Sequence, residues 1–546
     1  MPQFRILPTA ALAAAALAVA TGPARAQSHA AHPGGTAPLY DNLGSHHYEV
    51  TVRVPAAQRY FDQGMRLTWA FNHGEAIRAF AEGERLDPTC AMCAWGIAFA
   101  YGPNINGGMD SASGVAAHAA VRRAEERAAG VSERERALIA ALTARYAAVP
   151  APGRAALDTA WAEAIGRVAD QYPADQEAQT LHADALMNLS PWNYWTRDGQ
   201  PRPATPVMLE RLERVLAANP AHPGACHLFI HAVEAAHPER AVPCAERLAA
   251  LMPGAGHIVH MPGHIYIRVG RYLDAIAANE HAVHADESYL EGPAASRQGV
   301  YAQGYYPHNY HFMNFAASFA GMSNTAIRSA RAVTATVGAD VARAHPWLES
   351  VTPVVWQTYV TFGRWDAILA ERLPPKDLRY LTGMAYYARG VAFAAKRRWA
   401  EARAALDTVS AVAAKFPEGP NRTALRIGAE MLRGEIALRS GRHEAALAAF
   451  RAGQALEDGL LYTEPPYWYY PVRQSLGKAL LAADRPAEAE RAYREDLEQF
   501  PENGWSLFGL AQSLEAQGKP AEARAVRVRF DRAWRHADVR LRASRF

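Results

Sequence analysis

The chain has 546 residues, of which 50% are hydrophobic and 20% charged, and its net charge is +3. That balance excludes a disordered chain, and so small a charge over such a length leaves nucleic acid without an electrostatic footprint. The length exceeds one compact core, and four cysteines are too few to build a fold on disulfides.

In chain order, the N-terminus "MPQFRILPTAALAAAALAVATGPARAQ" places one basic residue, Arg5, before a short Ala/Leu/Val run that ends at "ARA". This pattern predicts a secretory signal cleaved after Ala26, and so a periplasmic or secreted protein. The run is too short to span a bilayer, and no later segment offers ~18 uninterrupted apolar residues, so no membrane span is expected. Residues 27–56 are rich in small and polar types, with His29, His32, His46 and His47, and read as a flexible, solvated lead-in.

Internal repetition governs the rest. "ALRSGRHEAALAAF", "LLAADRPAEAERAY" and "SLEAQGKPAEARAV" each read as a helix, a tight turn and a second helix opened by an alanine after an acidic residue. These marker alanines are Ala445, Ala489 and Ala523, the last two 34 residues apart. The same grammar gives Ala76, Ala241, Ala275, Ala326, Ala367 and Ala402 upstream. Small residues let paired helices approach, an aromatic such as Phe80 fills the gap between neighbours, and proline ends a unit. The period and pattern resemble the tetratricopeptide repeat family over most of residues 57–535. The resemblance implies an all-α, right-handed superhelical solenoid whose first helices line a concave groove for a peptide or protein partner. A looser resemblance is to exported bacterial repeat proteins carrying "HxxIHAVE", "HMPxHIYxRxG" and "HNxHF". The expected units are N-terminal helical repeats over 57–200, histidine-rich repeats over 201–337, and C-terminal repeats with a basic capping helix over 338–546.

The histidine-rich part carries the chemistry. His257 and His308 each lie 18 residues before a marker alanine, and His260 and His311 each lie 15 before, the place of Cys226 in the preceding repeat. In the family pattern these offsets fall on the groove side of the first helix. His227 and His231 lie beside them, with Glu234 three residues further on, and His264 follows His260 by four. Seven histidines therefore fall on or near one strip: His227, His231, His257, His260, His264, His308 and His311. Neutral imidazoles at helical spacing can close on Cu, Zn or Fe. Glu234, Asp274 and Glu280 offer ligands or orienting partners, Cys226 an extra ligand, and Met261 and Met313 thioethers. The first reading is an exported scaffold whose groove, lined by this polar strip, binds a ligand or protein; the metal centre is the alternative. Pro262 leaves the local geometry open, since a helix starting there would put His257 and His260 in a turn.

Cys90 and Cys93 form a CxxC at a helix start after Pro88, without the histidine of a haem motif. Proximity favours the pairs Cys90–Cys93 and Cys226–Cys244. In "GPNINGGMD", Asn104 and Asn106 are candidates for ligand binding or for turn capping. The aromatic loops "SPWNYW" and "YTEPPYWYYP" read as plugs on the solenoid. GxSxG, Walker, GxGxxG and HExxH motifs are absent from the sequence, so common hydrolase and nucleotide chemistries are not indicated.

Overall fold

A computed structural model describes residues 26–27, 36–149, 153–292, 295–296 and 299–546. The signal sequence up to Arg25, and His29 and His32, lie outside the described residues. The described chain is built from α-helices, and its two short strands, Ala26–Gln27 and Gly108–Met109, form one parallel pair. None of the described helices is long and apolar enough to cross a membrane.

One local rule generates the repeats. Phe71, Gly270, Gly321, Gly363, Arg397, Gly441, Asp484 and Gly518 all have positive φ, and each stands two residues before a second helix. A left-handed residue stops the first helix and swings the chain into an antiparallel return, which glycine does without Cβ strain. The fourth residue of each second helix packs against its partner: Ala76, Ala275, Ala326, Ile368, Ala402, Ala446, Ala489 and Ala523 are all buried. The markers Ala367 and Ala445 are therefore off by one residue. Ala367 is half-buried and Ala445 exposed, and the side chains that close the helix pair are Ile368 and Ala446. Aromatic knobs complete the stack: a Cβ on Gly64 or Gly96 would overlap the Phe80 ring, and one on Gly477 or Gly509 the Tyr493 ring. The result is a tetratricopeptide-type helical solenoid, as the repeat grammar indicated.

The solenoid curls back on itself. Trp505 Nε1 donates to the Ser318 carbonyl (2.9 Å), Arg268 Nη1 to the Gln499 carbonyl (3.0 Å), and the Asp538 carboxylate accepts from the amides of Ser323 and Asn324. The last helix ends at Ala533, so the basic C-terminus is only partly the expected capping helix. Beyond it the tail crosses the inner repeats and sets Phe546 against Gly363. One hydrophobic core runs from Leu43 to Ala326 and takes in Phe362, Phe500 and Trp505, and a second is built from residues between Ala330 and Val526. The curl encloses a cavity between the histidine-bearing helices and the segment 463–469.

The lead-in is not a solvated tail where it is described. Leu43, Tyr48 and Val50 are buried, the Tyr40 amide donates to Gln63, and Thr51 donates to the Glu135 carboxylate. Residues 36–54 thus form a strap over the first helices, anchored by buried carboxylates rather than by secondary structure.

Candidate metal centre

Four helical segments bring the histidines together. Pro223–Val233 carries His227 and His231, Gly256–His260 carries His257 and His260, Pro262–Arg268 carries His264, and Tyr306–Phe319 carries His308 and His311. The first of these helices starts with His222 as its cap, whose Nδ1 accepts from the Ala225 amide, and with Pro223 in the first turn. Pro262 is no helix start from a turn. Helix begins already at Gly256, and Met261 keeps helical angles across the junction. Gly256 is required there, since a Cβ would overlap the Asp286 carboxylate.

His227, His231, His257, His260 and His264 are at most 2% exposed, and His308 is half-buried. Two sets of three histidines have ligand atoms within 4.8 Å of one another, His227, His231 and His257, and next to them His260, His264 and His308, and a third set, His231, Glu234 and His264, overlaps both. The two sets approach through His231 and His264, ring centroids 5.2 Å apart, and through His257 and His260, 5.7 Å apart. His311 lines the cavity and belongs to neither set.

The hydrogen bonds fix the tautomers. His227 Nδ1 donates to the Trp69 carbonyl at 2.6 Å. Glu234 accepts from His231 Nδ1 at 2.9 Å on one oxygen and from His264 Nδ1 at 2.6 Å on the other. His260 Nδ1 donates to Asn279 Oδ1 at 2.7 Å, and the Asn279 amide cannot be reversed because its Nδ2 donates to the Ala275 carbonyl. With Nδ1 protonated on all four rings, a neutral imidazole presents a lone pair at Nε2; that of His227 accepts from His257 Nε2 at 3.2 Å. Nevertheless, His260 Nε2 and His264 Nε2 face each other at 2.9 Å. Two lone pairs at that distance repel, and either a proton on one Nε2, which makes the contact an ordinary hydrogen bond, or a metal ion beside the pair relieves them. In the other set, His231 Nε2 is buried with no hydrogen-bond partner among the described residues, and so is His257 Nδ1. An orphaned buried nitrogen costs about 1–3 kcal/mol.

Burial, reinforced by neighbouring imidazoles, holds His227, His257, His260 and His308 well below the usual imidazole range. Burial also lowers His231, and it brings His311 down to about 4. Burial alone would raise Glu234, but the imidazoles of His264 and His231 outweigh it and hold the carboxyl at about 2. The site is thus a carboxylate wrapped in imidazoles, several of them held neutral by burial, which suits a cation. Carboxylate-backed histidines are the usual support of metal ligands.

The other sequence candidates divide. Glu234 is the orienting carboxylate. Asp274 instead pairs with Arg271 on the surface, Glu280 is exposed, and Met261 and Met313 are packed in the first core. Cys226 turns away from the rings, its Sγ 2.7 Å from that of Cys244 with no disulfide joining them, while Cys90 and Cys93 are disulfide-bonded. Sequence reasoning passed over Trp69 and Asn279, which hold the rings from behind, and a separate cluster of His46, Glu177 and His222. It also read the aromatic loops as plugs. In the fold, Trp192 and the segment from Glu464 to Tyr469 wall a cavity of ≈ 200 Å³ whose inner face is His231, His257, His264, His308 and His311. Asn106 is in that wall and donates to the Tyr305 hydroxyl. Glu464 Oε2 has no hydrogen-bond partner among the described residues, and burial pushes its carboxyl up to about 7.

No protein-family profile matches the chain, and no curated protein matches it significantly in sequence. Solved structures similar to it include the human IFIT1 dimer with m7Gppp-AAAA, at 10% identity over 90% of this chain and 92% of that one, with a TM-score of 0.33. Another is the APC/C hetero-tetramer Cut9–Hcn1, at 12% identity over 88% of this chain and 96% of that one, with a TM-score of 0.26. At this level of likeness no ligand or partner transfers to the chain.

Proposed function

We propose that this protein is a metalloprotein, in which the solenoid closes around a histidine centre for a first-row transition metal and exposes one side of it to a substrate-sized cavity. The observation that carries the reading is the convergence of Nε2 atoms whose Nδ1 atoms are already committed as donors: His260 Nε2 faces His264 Nε2 at 2.9 Å, and His231 Nε2 is buried without a hydrogen-bond partner among the described residues. An all-imidazole donor set suits copper, zinc or iron, and the absence of cysteine and methionine from it removes the soft-ligand case for Cu(I). The cavity wall adds aromatic rings, amides and one carboxyl, but no Lys or Arg among the described residues. That lining favours an uncharged, partly aromatic ligand over an anion or a nucleic-acid backbone. The groove-bound peptide expected of such repeats fits the same cavity, as the side chain of a bound segment. Export through the N-terminal signal belongs to this proposal, and the mature N-terminus read by mass spectrometry tests it.

The deciding experiment is elemental analysis of the untagged full chain, purified without chelator. The expected result is stoichiometric copper, zinc or iron that survives dialysis and falls on His260→Ala. A chain that takes up none of the three, even on reconstitution, sinks the reading and leaves the cavity as a plain binding site.

A further inference from the structure

Building on the metal reading, we infer that the centre is dinuclear: His227, His231 and His257 hold one ion, and His260, His264 and His308 hold a second, with both ions open to the same cavity.

Three observations point to two ions. Each triad contains its own unresolved nitrogen. In the first it is the buried, unpartnered Nε2 of His231, and in the second the opposed Nε2 pair of His260 and His264. An ion seated in one triad leaves the other as it was. Each triad also supplies three nitrogens, the number that leaves a fourth position free on a tetrahedral ion. The cavity takes that position in both. His231 and His257 of the first triad and His264 and His308 of the second line it, while His227 and His260 stand behind.

Glu234 makes the two triads one unit. Its two oxygens accept from one histidine of each, so a single carboxylate sets the tautomer on both sides. Ring centroids 5.2 and 5.7 Å apart across the boundary place the two ions near enough to share one small ligand entering from the cavity.

The test uses the demetallated full chain titrated with cupric ion alone, followed by gel filtration, a copper count and electron paramagnetic resonance. Two coppers per chain with an integrated signal well below two isolated ions are expected. His257→Ala and His308→Ala should each keep one copper, now with a full isolated signal. Circular dichroism checks that the variants fold, and the wild-type count and signal stand without them. One copper per chain, lost in both variants, overturns the dinuclear centre and leaves the metal reading intact. Two coppers with two full isolated signals also overturn it, because the second ion then lies elsewhere. No bound copper, with zinc and iron(II) refused as well in parallel titrations, ends both readings.

Discussion

Two buried clusters in this molecule use the same side chains and come out opposite. In the outer one, His46, Glu177 and His222 meet under the N-terminal strap. His222 accepts a helix-cap amide on Nδ1, so its proton sits on Nε2, 3.3 Å from Glu177 though too bent for a hydrogen bond. His46 Nε2 lies 2.5 Å from the same carboxylate, and Trp69 Nε1 donates to its other oxygen at 3.2 Å. The N–H groups there are turned toward the Glu177 carboxylate, although His222 Nε2 makes no hydrogen bond to it, and no lone pair faces another. In the central cluster, the protons of His227, His231, His260 and His264 point outward to their acceptors and the lone pairs converge. The spacing of ligand atoms does not separate the two clusters, since both satisfy it. The direction of the protons does. Trp69 serves both, with its carbonyl on His227 and its indole N–H on Glu177.

The sharpest way to break this contrast is to remove each carboxylate. Glu234→Ala leaves two buried imidazole N–H groups without acceptors and frees both tautomers. It should cost the apo protein roughly 3–5 kcal/mol and weaken metal binding about 10–100-fold. Denaturant unfolding of the apo chain and a competitive chelator titration measure the two effects. Glu177→Gln should cost only about 1–3 kcal/mol, because the amide oxygen still accepts, and the metal count should not change. If Glu177→Gln strips metal as Glu234→Ala does, the outer cluster is a site and the contrast is wrong.

The contrast also shows what the chain's letters can carry. The repeats were legible because a hairpin needs a stop and a small contact, and both leave local marks such as Gly270 and Ala275. The exceptions were places where another residue accepts the same backbone, as Phe71, Arg397 and Asp484 do with positive φ. Six of the seven strip histidines meet because the repeat register aligns successive first helices. Burial was not legible: the groove strip becomes an interior because Phe71, Trp192 and Tyr305 pack on its rings and the segment 463–469 closes the cavity over it, contacts that reach across many repeats. Glu234 was visible three residues from His231, whereas Trp69 and Glu177 reach their histidines across other repeats, and Asn279 reaches His260 from the return helix of the same repeat. His46 looked solvated because a strap without regular structure has no period.

A third buried carboxylate sharpens the rule from outside either cluster. Asp496 has only neutral donors, Ser506, Gln474 and Asn503, all on Oδ2, and no imidazole. Burial raises it to about 6, where Glu234 is held at about 2. Because its folded value lies above the ordinary one, its contribution to stability is fully present below about pH 4 and is lost as pH rises through about 6. Asp496→Asn keeps the oxygen that the three donors face. It should remove that slope and leave the variant roughly 1–2 kcal/mol more stable at pH 8. Unfolding midpoints of both proteins between pH 4 and 8 test it, and parallel curves would mean Asp496 is ionised throughout.

The smallest expected effect falls on the histidine that register alone nominated. His311 occupies the repeat position of His260, but its helix is set by His308. His308 puts its ring 4.9 Å from His260, and one turn on, at the four-residue step, stands Phe312, which packs on His260 at 4.5 Å and His264 at 4.4 Å. His311, one residue short of that step, is rotated off the metal face and into the cavity wall. His311→Ala should therefore keep the full metal count and shift stability by no more than about 0.5 kcal/mol, while His308→Ala loses an ion. Copper counts on the two variants side by side decide it. Equal losses would mean that repeat register, and not the direction of each ring's lone pair, selects the ligands.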